Sequence, residues 1–175
     1  MTNQVTGETR HIEHTLAFLL LRGWLGVRAI LTGVEKYSTT HIIQKPLIDP
    51  TTGMEDPSGA MIDVAQKVYS LTNYAAIPQS MQDKFASEPL LLKWMTVPFY
   101  FCLGPALILL GITLLVGIAT RASLFLQGLL YIVLTVGLIL IKQDDGVAWL
   151  AIHVAMIAMA LTMVRYNRFC LWNRW

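Results

Sequence analysis

Charged side chains are scarce in this sequence. They make up 14% of its 175 residues, whereas hydrophobic residues make up 55%, so the charge density is roughly half that of a soluble domain. The 13 basic and 11 acidic residues leave a net charge of +2, without the dense basic run that follows a phosphate backbone. The composition therefore indicates a membrane protein whose main partner is the lipid bilayer, and it argues against a nucleic-acid partner.

Cysteine and recognisable catalytic motifs are also scarce. The two cysteines, Cys102 in an apolar run and Cys170 near the C-terminus, do not have the CxxC spacing of a redox or metal site. The sequence has no metal-spaced cluster, glycine-rich phosphate loop or nucleophile elbow. It therefore predicts no metal site and no covalently bound cofactor, and it assigns no catalytic residue.

Long hydrophobic runs, by contrast, dominate the chain. A helix needs about 20 apolar residues to cross the hydrocarbon core of a bilayer, and four segments are long enough. The first covers about residues 15–37, and the others cover about 93–120, 122–141 and 146–166. The predicted fold is therefore an all-α membrane protein, a bundle of four transmembrane helices in a single domain.

The first span is unusual because it carries the charged residues Arg22, Arg28, Glu35 and Lys36. Two arginines well inside a span cost about 5 to 7 kcal/mol, while its Leu, Ile and Phe residues return about 2.5 to 5 kcal/mol. Such a helix inserts stably only when protein or trapped water surrounds its charges. We therefore expect its polar side to face the interior of the bundle and to line a cavity there.

A connection of about 55 residues, 38–92, separates the first two spans. Apolar residues recur at helical spacing in 61–71, after Asp56 and Pro57, which suit a helix start. A second short helix is predicted at 80–85. The connection is therefore expected to be partly helical and to lie on the membrane surface or against one end of the bundle.

The distribution of arginines in the short connections predicts the orientation. Arg121, Arg165 and Arg168 fall on the same side as the termini, whereas the turn 142–145 and the long connection are on the other side. Both termini, including the tail 167–175, are therefore expected in the cytoplasm, and the long connection is expected outside it.

Glycines mark a predicted helix contact on the first span. At about 100° per residue, Gly26 and Gly33 share one narrow stripe with Arg22 and Lys36, and glycine lets a second backbone approach closely. In the alternative interpretation, Arg22 and Lys36 merely extend toward the two membrane interfaces. That alternative does not account for Arg28, which lies deeper in the span.

His153 lies seven residues into the fourth span. A haem held by two histidines needs a second imidazole at similar depth, and His14 and His41 lie outside the apolar spans. We therefore do not expect haem. A lone histidine inside a membrane more often forms a hydrogen bond with a neighbour or faces a polar cavity.

Two strings of the sequence resemble the DoxX/DoxD family of small four-helix membrane proteins. The first is LLLRGWLGVRAILTGVEKY, and the second is LLVGIATRASLF at the turn between the second and third spans. The resemblance covers most of residues 15–165, and the long first connection is similar to that of the DoxD branch, the membrane subunit of thiosulfate:quinone oxidoreductase. The matching residues are Arg22, Gly26, Gly33, Lys36, Gly117, Thr120 and Arg121.

The resemblance implies a subunit of a quinone-linked or sulfur-linked redox complex in a prokaryotic cytoplasmic membrane, with other membrane subunits as partners. Our first hypothesis is that Arg22, Arg28, Glu35, Lys36 and His153 line a cavity that faces a quinone head group or an anionic sulfur substrate. Quinone is then the expected ligand.

The alternative hypothesis is a non-catalytic structural or assembly subunit of a larger redox or photosynthetic complex, which docks through its apolar outer faces and the long connection. A transporter is a weaker third hypothesis, because four helices without an internal repeat offer little scope for alternating access.

Overall fold

The computed structural model describes residues 2–48, 53–54, 58–91 and 93–171, which are mostly helical. Within them, one β-hairpin interrupts five α-helices, and two short 3-10 helices lie at Leu71–Asn73 and Val164–Tyr166. The elements in chain order are α1 (Thr2–Glu35), β1 (Ser38–Pro46), β2 (Met61–Tyr69), α2 (Gln79–Ser87), α3 (Lys93–Val116), α4 (Thr120–Leu140) and α5 (Asp144–Met163).

Four of the helical segments are long and apolar enough to cross a membrane. They are Ile12–Glu35, Thr96–Val116, Thr120–Leu140 and Asp144–Tyr166. The prediction of a mostly helical chain with four helices of membrane-spanning length is therefore confirmed. Large apolar side chains remain exposed along all four segments, as expected of surfaces that face lipid.

The four long helices pack in a ring. α1 lies mainly against α3, α3 against α4, α4 against α5, and α5 returns to α1. The innermost large side chains come from α1, α3 and α4 and are apolar except for Gln127. They are Phe18, Leu25, Leu107, Leu114, Leu124 and Gln127, all essentially inaccessible to solvent. Side chains of α1 can therefore interact with both α3 and α5.

The two ends of the ring carry different parts of the chain. At one end the Ala75 N–H donates to the carbonyl of Lys36 at 2.7 Å, so the long connection folds back onto the end of α1. At the other end the rings of His14 and Tyr166 stack with centroids 4.8 Å apart. The beginning of α1 and the end of α5 therefore share one end of the bundle.

The predicted helix at 61–71 is wrong, because Met61–Tyr69 is β2. This strand pairs antiparallel with β1, from Ser38 opposite Tyr69 to Pro46 opposite Met61. The run of threonine and isoleucine in β1 favours strand, and the ladder between strands supplies the backbone hydrogen bonds that a helix would have formed internally. Asp56 and Pro57 lie outside the described residues. The second predicted helix is present as α2.

Tyr74 anchors the connection to α3. Its hydroxyl donates to the carbonyl of Tyr100 and accepts from the N–H of Gly104 at 3.1 Å, two groups that a regular helix pairs with each other. A side chain at Gly104 would lie 2.6 Å from the Tyr74 ring, so glycine permits this approach. Because the phenol is desolvated, the pKa of Tyr74 is raised, which keeps the donor proton in place.

Candidate functional site

An open cavity of about 690 Å³ lies between the helices, beside the end that carries the long connection, and its lining includes the exposed residues Arg28 and Trp149. This volume is in the range of small-molecule binding sites. Helix α2 reaches over it with Met81 and Phe85, and the walls are largely apolar or aromatic, with Phe99, Tyr100 and Trp149 among them. An aromatic ligand would therefore find both ring surfaces and aliphatic walls.

Two basic side chains line this cavity, Arg28 and Lys36. Arg28 lies on α1, and Lys36 directly follows the last residue of that helix. Eight positions correspond to about 12 Å along a helix axis. The salt bridge between Glu35 and Lys67 is the only one within the described residues, and neither cavity cation forms a side-chain hydrogen bond there. Arg28 is exposed and Lys36 is half-buried, so the expected inward orientation does not hold for Arg28, and the N–H donors of both side chains remain available to a ligand.

His153 of α5 also lines the cavity. Its side chain is almost inaccessible, at 7% exposure. Nδ1 lies 2.7 Å from the carbonyl oxygen of Trp149, one helical turn earlier. The other ring nitrogen, Nε2, is buried and has no hydrogen-bond partner among the described residues, an arrangement that costs about 1 to 3 kcal/mol unless a ligand satisfies it.

Tyr131 and Gln127 of α4 hold the imidazole in place. The Tyr131 ring meets the His153 ring edge-on, with centroids 5.8 Å apart and an interplanar angle of 86°. The Tyr131 hydroxyl accepts from Gln127 Nε2 at 3.1 Å, and the same amide nitrogen donates to the carbonyl of Leu25 at 3.3 Å. This chain of contacts joins α5 through α4 to α1, and so fixes the wall on which His153 lies.

Arg22, which we expected in the same cavity, lies elsewhere. It is buried, at 6% exposure, and all of its guanidinium nitrogens are engaged. Nε donates to the carbonyl of Leu114 at 2.8 Å and Nη2 to that of Leu115 at 2.7 Å. Nη1 donates to Asn167 Oδ1 at 2.7 Å and to the carbonyl of Phe169. We call these five residues the arginine clasp.

The clasp has a structural explanation. Leu114 and Leu115 are in the last turn of α3, where helix carbonyls have no partner within the helix. A guanidinium satisfies two of them at once and interacts favourably with the negative end of the helix dipole. The contacts to Asn167 and Phe169 draw the chain after α5 back into the bundle, so this part of the predicted cytoplasmic tail packs against protein. Residues 172–175 of that tail lie outside the described residues.

Glu35 also lies outside the cavity. Its carboxylate accepts a hydrogen bond from Lys67 of β2 and lies 3.5 Å from the Tyr69 hydroxyl. This hydrogen bond to Glu35 raises the pKa of the Lys67 ammonium group. Glu35 therefore ties the β-hairpin to the end of α1. Of the five side chains expected in one cavity, the structure brings together three, Arg28, Lys36 and His153.

The glycine stripe of α1 faces α3. A Cβ atom at Gly26 would lie 3.2 Å from the carbonyl oxygen of Gly111, and one at Gly33 would lie 3.0 Å from that of Gly104. Conversely, a Cβ atom at Gly111 would lie 2.8 Å from the carbonyl oxygen of Gly26. Glycines on both helices thus allow their backbones to touch, which sets the position of Arg22 and Arg28 relative to α3.

The turn between α3 and α4 contains the other residues of the family resemblance. Gly117 has a φ of +79°, and a side chain there would lie 3.0 Å from Arg22 Nη2, so glycine both makes the turn and leaves room for the clasp. The Thr120 hydroxyl accepts from Asn167 Nδ2 at 2.9 Å. Arg121 is exposed. Gly117 and Thr120 therefore help to position the arginine clasp and do not line the cavity.

Sequence reasoning missed two residues with central positions, Asn167 and Tyr74. Neither belongs to a motif, and both act on residues far away in the chain, Asn167 on Arg22 and Thr120 and Tyr74 on the α3 backbone. A polar residue directly after an apolar span reads as a solvent-exposed residue in sequence. No pattern in the neighbourhood of either residue indicated these contacts.

Comparison with known proteins does not extend these observations: no family model, curated protein or solved structure matches the chain.

Proposed function

We propose that this chain is an integral membrane subunit of a quinone-linked oxidoreductase and that its cavity holds the quinone head group. One observation carries the proposal. Arg28, Lys36 and His153 line one largely apolar cavity without side-chain salt bridges among the described residues. Unpaired charge of this kind inside a membrane protein usually marks a functional site.

The chemistry of a quinone suits such a cavity. Its ring is flat and apolar and packs against aromatic walls such as Phe99, Tyr100 and Trp149. Its carbonyl oxygens accept hydrogen bonds, which Arg28 and Lys36 can donate. An arginine in a site of low dielectric constant also stabilises negative charge that develops on oxygen during reduction. An anionic sulfur compound, in contrast, would use the two cations and little of the apolar wall.

The DoxX/DoxD resemblance supports the assignment to a redox complex of a prokaryotic cytoplasmic membrane. We propose that a partner subunit supplies the electrons. The resemblance implies that these electrons come from a sulfur compound. We also propose that the end of the bundle that carries Arg121, Arg165 and Arg168, all exposed, faces the cytoplasm, because short cytoplasmic connections are rich in arginine. The β-hairpin and α2 are then outside.

Direct binding tests the proposal. The full chain, purified in mild detergent or in lipid nanodiscs, is titrated with a short-chain benzoquinone, and the dissociation constant is measured by equilibrium dialysis. We expect Arg28→Leu to weaken binding by about 10-fold to 100-fold, because a hydrogen bond from a charged group contributes about 1.5 to 3 kcal/mol.

The matched control is Arg121→Leu, which removes an exposed arginine outside the cavity and should leave the dissociation constant unchanged. If the wild-type chain binds no quinone, or if Arg28→Leu binds it as the wild type does, the proposal is wrong. An inert chain that always copurifies with a large redox complex would instead favour the assembly subunit.

A further inference from the structure

The tautomer of the neutral His153 ring follows from its hydrogen bond. Nδ1 lies 2.7 Å from the carbonyl oxygen of Trp149, and a carbonyl oxygen only accepts, so Nδ1 carries a hydrogen. In the neutral imidazole, Nε2 then has a lone pair and no hydrogen. The neutral His153 ring therefore has a hydrogen-bond acceptor at Nε2.

Nothing among the described residues donates to that acceptor. Nε2 is buried and has no hydrogen-bond partner there. The nearby Tyr131 hydroxyl accepts from Gln127 and forms no hydrogen bond to Nε2, while the Tyr131 ring meets the imidazole by edge-on contact. Buried polar atoms in proteins are nearly always satisfied. A ligand that fits the cavity should therefore bring a donor to His153.

The basic groups of the cavity have the opposite requirement. Arg28 and Lys36 carry only N–H donors, so they need an oxygen that accepts. A ligand that satisfies both groups therefore needs an oxygen that accepts from Arg28 or Lys36 and a donor for the imidazole of α5. An oxidised quinone supplies acceptors only, whereas a quinol has hydroxyl groups that both accept and donate.

We infer that the cavity selects the reduced, hydroxyl-bearing form of its ligand, a quinol whose phenolic O–H donates to His153 Nε2 while its other oxygen accepts from Arg28. This inference rests on the proposed function and adds to it the ligand form that the site prefers. Tighter binding of the reduced form raises the midpoint potential of the bound couple, by about 30 mV for each tenfold preference in a two-electron reaction.

The experiment compares the two redox forms. The full chain in nanodiscs is titrated under anaerobic conditions with a short-chain benzoquinone and, separately, with the corresponding quinol. We expect the quinol to bind about 10-fold more tightly. His153→Leu should remove that preference by weakening quinol binding alone, and His153→Gln, which keeps an acceptor oxygen, should restore part of it.

Ligand analogues test the same point in the wild-type chain, so the result does not depend on a variant that folds. The monomethyl ether of the quinol keeps one O–H and should retain the preference, while the dimethyl ether has none and should bind like the quinone. Equal binding of quinone and quinol would overturn this inference and leave the proposed function intact. If neither form binds, the proposed function itself is wrong.

Discussion

Two arginines on one helix, six residues apart, have opposite surroundings. Arg22 is buried and donates hydrogen bonds to four different residues. Arg28 lines a cavity and donates to none of the described residues. In sequence both are simply charges inside an apolar span, and both impose the same cost on insertion.

This contrast indicates which charges of a membrane-spanning helix are available to bind a ligand. The guanidinium of Arg22 is used up by the end of α3 and by Asn167, so replacing it should disturb folding first. That of Arg28 has its donors free, so replacing it should disturb binding first. Complete satisfaction by protein groups is the mark of a structural charge, and incomplete satisfaction beside a cavity is the mark of a ligand-binding one.

The largest expected effect is that of Arg22→Leu. The substitution leaves the carbonyls of Leu114, Leu115 and Phe169 and the amide oxygen of Asn167 without their donor, so we expect the free energy of unfolding to fall by about 3 to 5 kcal/mol. Reversible unfolding in mixed detergent measures it. Arg22→Lys keeps the charge without the planar group and should lose less. An Arg22→Leu chain as stable as the wild type would break the comparison.

The second effect concerns the contact that places both arginines. In Gly111→Ala the new Cβ atom would lie 2.8 Å from the carbonyl oxygen of Gly26, so α1 and α3 must separate, and we expect a loss of about 1 to 3 kcal/mol in the same measurement. Gly23→Ala is the matched control, because nothing lies within 4 Å of its added atom. It should be neutral or stabilising by up to about 1 kcal/mol. Equal losses in the two variants would contradict the close contact.

The smallest expected effect is that of Arg28→Leu on stability. Because this side chain donates to no described residue, its loss should change the free energy of unfolding by no more than about 0.5 kcal/mol, although quinone binding falls. Unfolding and binding measured on the same preparation separate the two roles. A destabilisation as large as that of Arg22→Leu would show that Arg28 is structural as well.

Part of the site could be predicted from the sequence, for a definite reason. Lipid cannot solvate an ion, so charges in an apolar span are expected to face inward, and this argument directs attention to Arg28 and Lys36, which line the cavity, although Arg28 remains exposed. It could not distinguish Arg22 from Arg28. Helical periodicity gives the direction of a side chain but not the groups with which that side chain forms hydrogen bonds. For the same reason it placed Glu35 in the cavity, whereas Lys67 of the hairpin holds it outside.

The strand at Met61–Tyr69 shows a second limit. Its apolar spacing fits a helix as well as a strand. Pairing with the earlier strand β1 determined that it is a strand. Local sequence pattern predicts structure well when the backbone hydrogen bonds join residues close in sequence, as in a transmembrane helix. It predicts poorly when the deciding hydrogen bonds come from a distant segment.

Four helices of membrane-spanning length could be predicted from local sequence alone, because hydropathy and length are local properties. The surroundings of the two arginines depend on packing. The last turn of α3 and the chain after α5 converge on Arg22, while Arg28, Lys36 and His153 line one open cavity between the helices. Only packing brings such distant groups within reach of one another, and only that packing makes one arginine structural and the other available to a ligand.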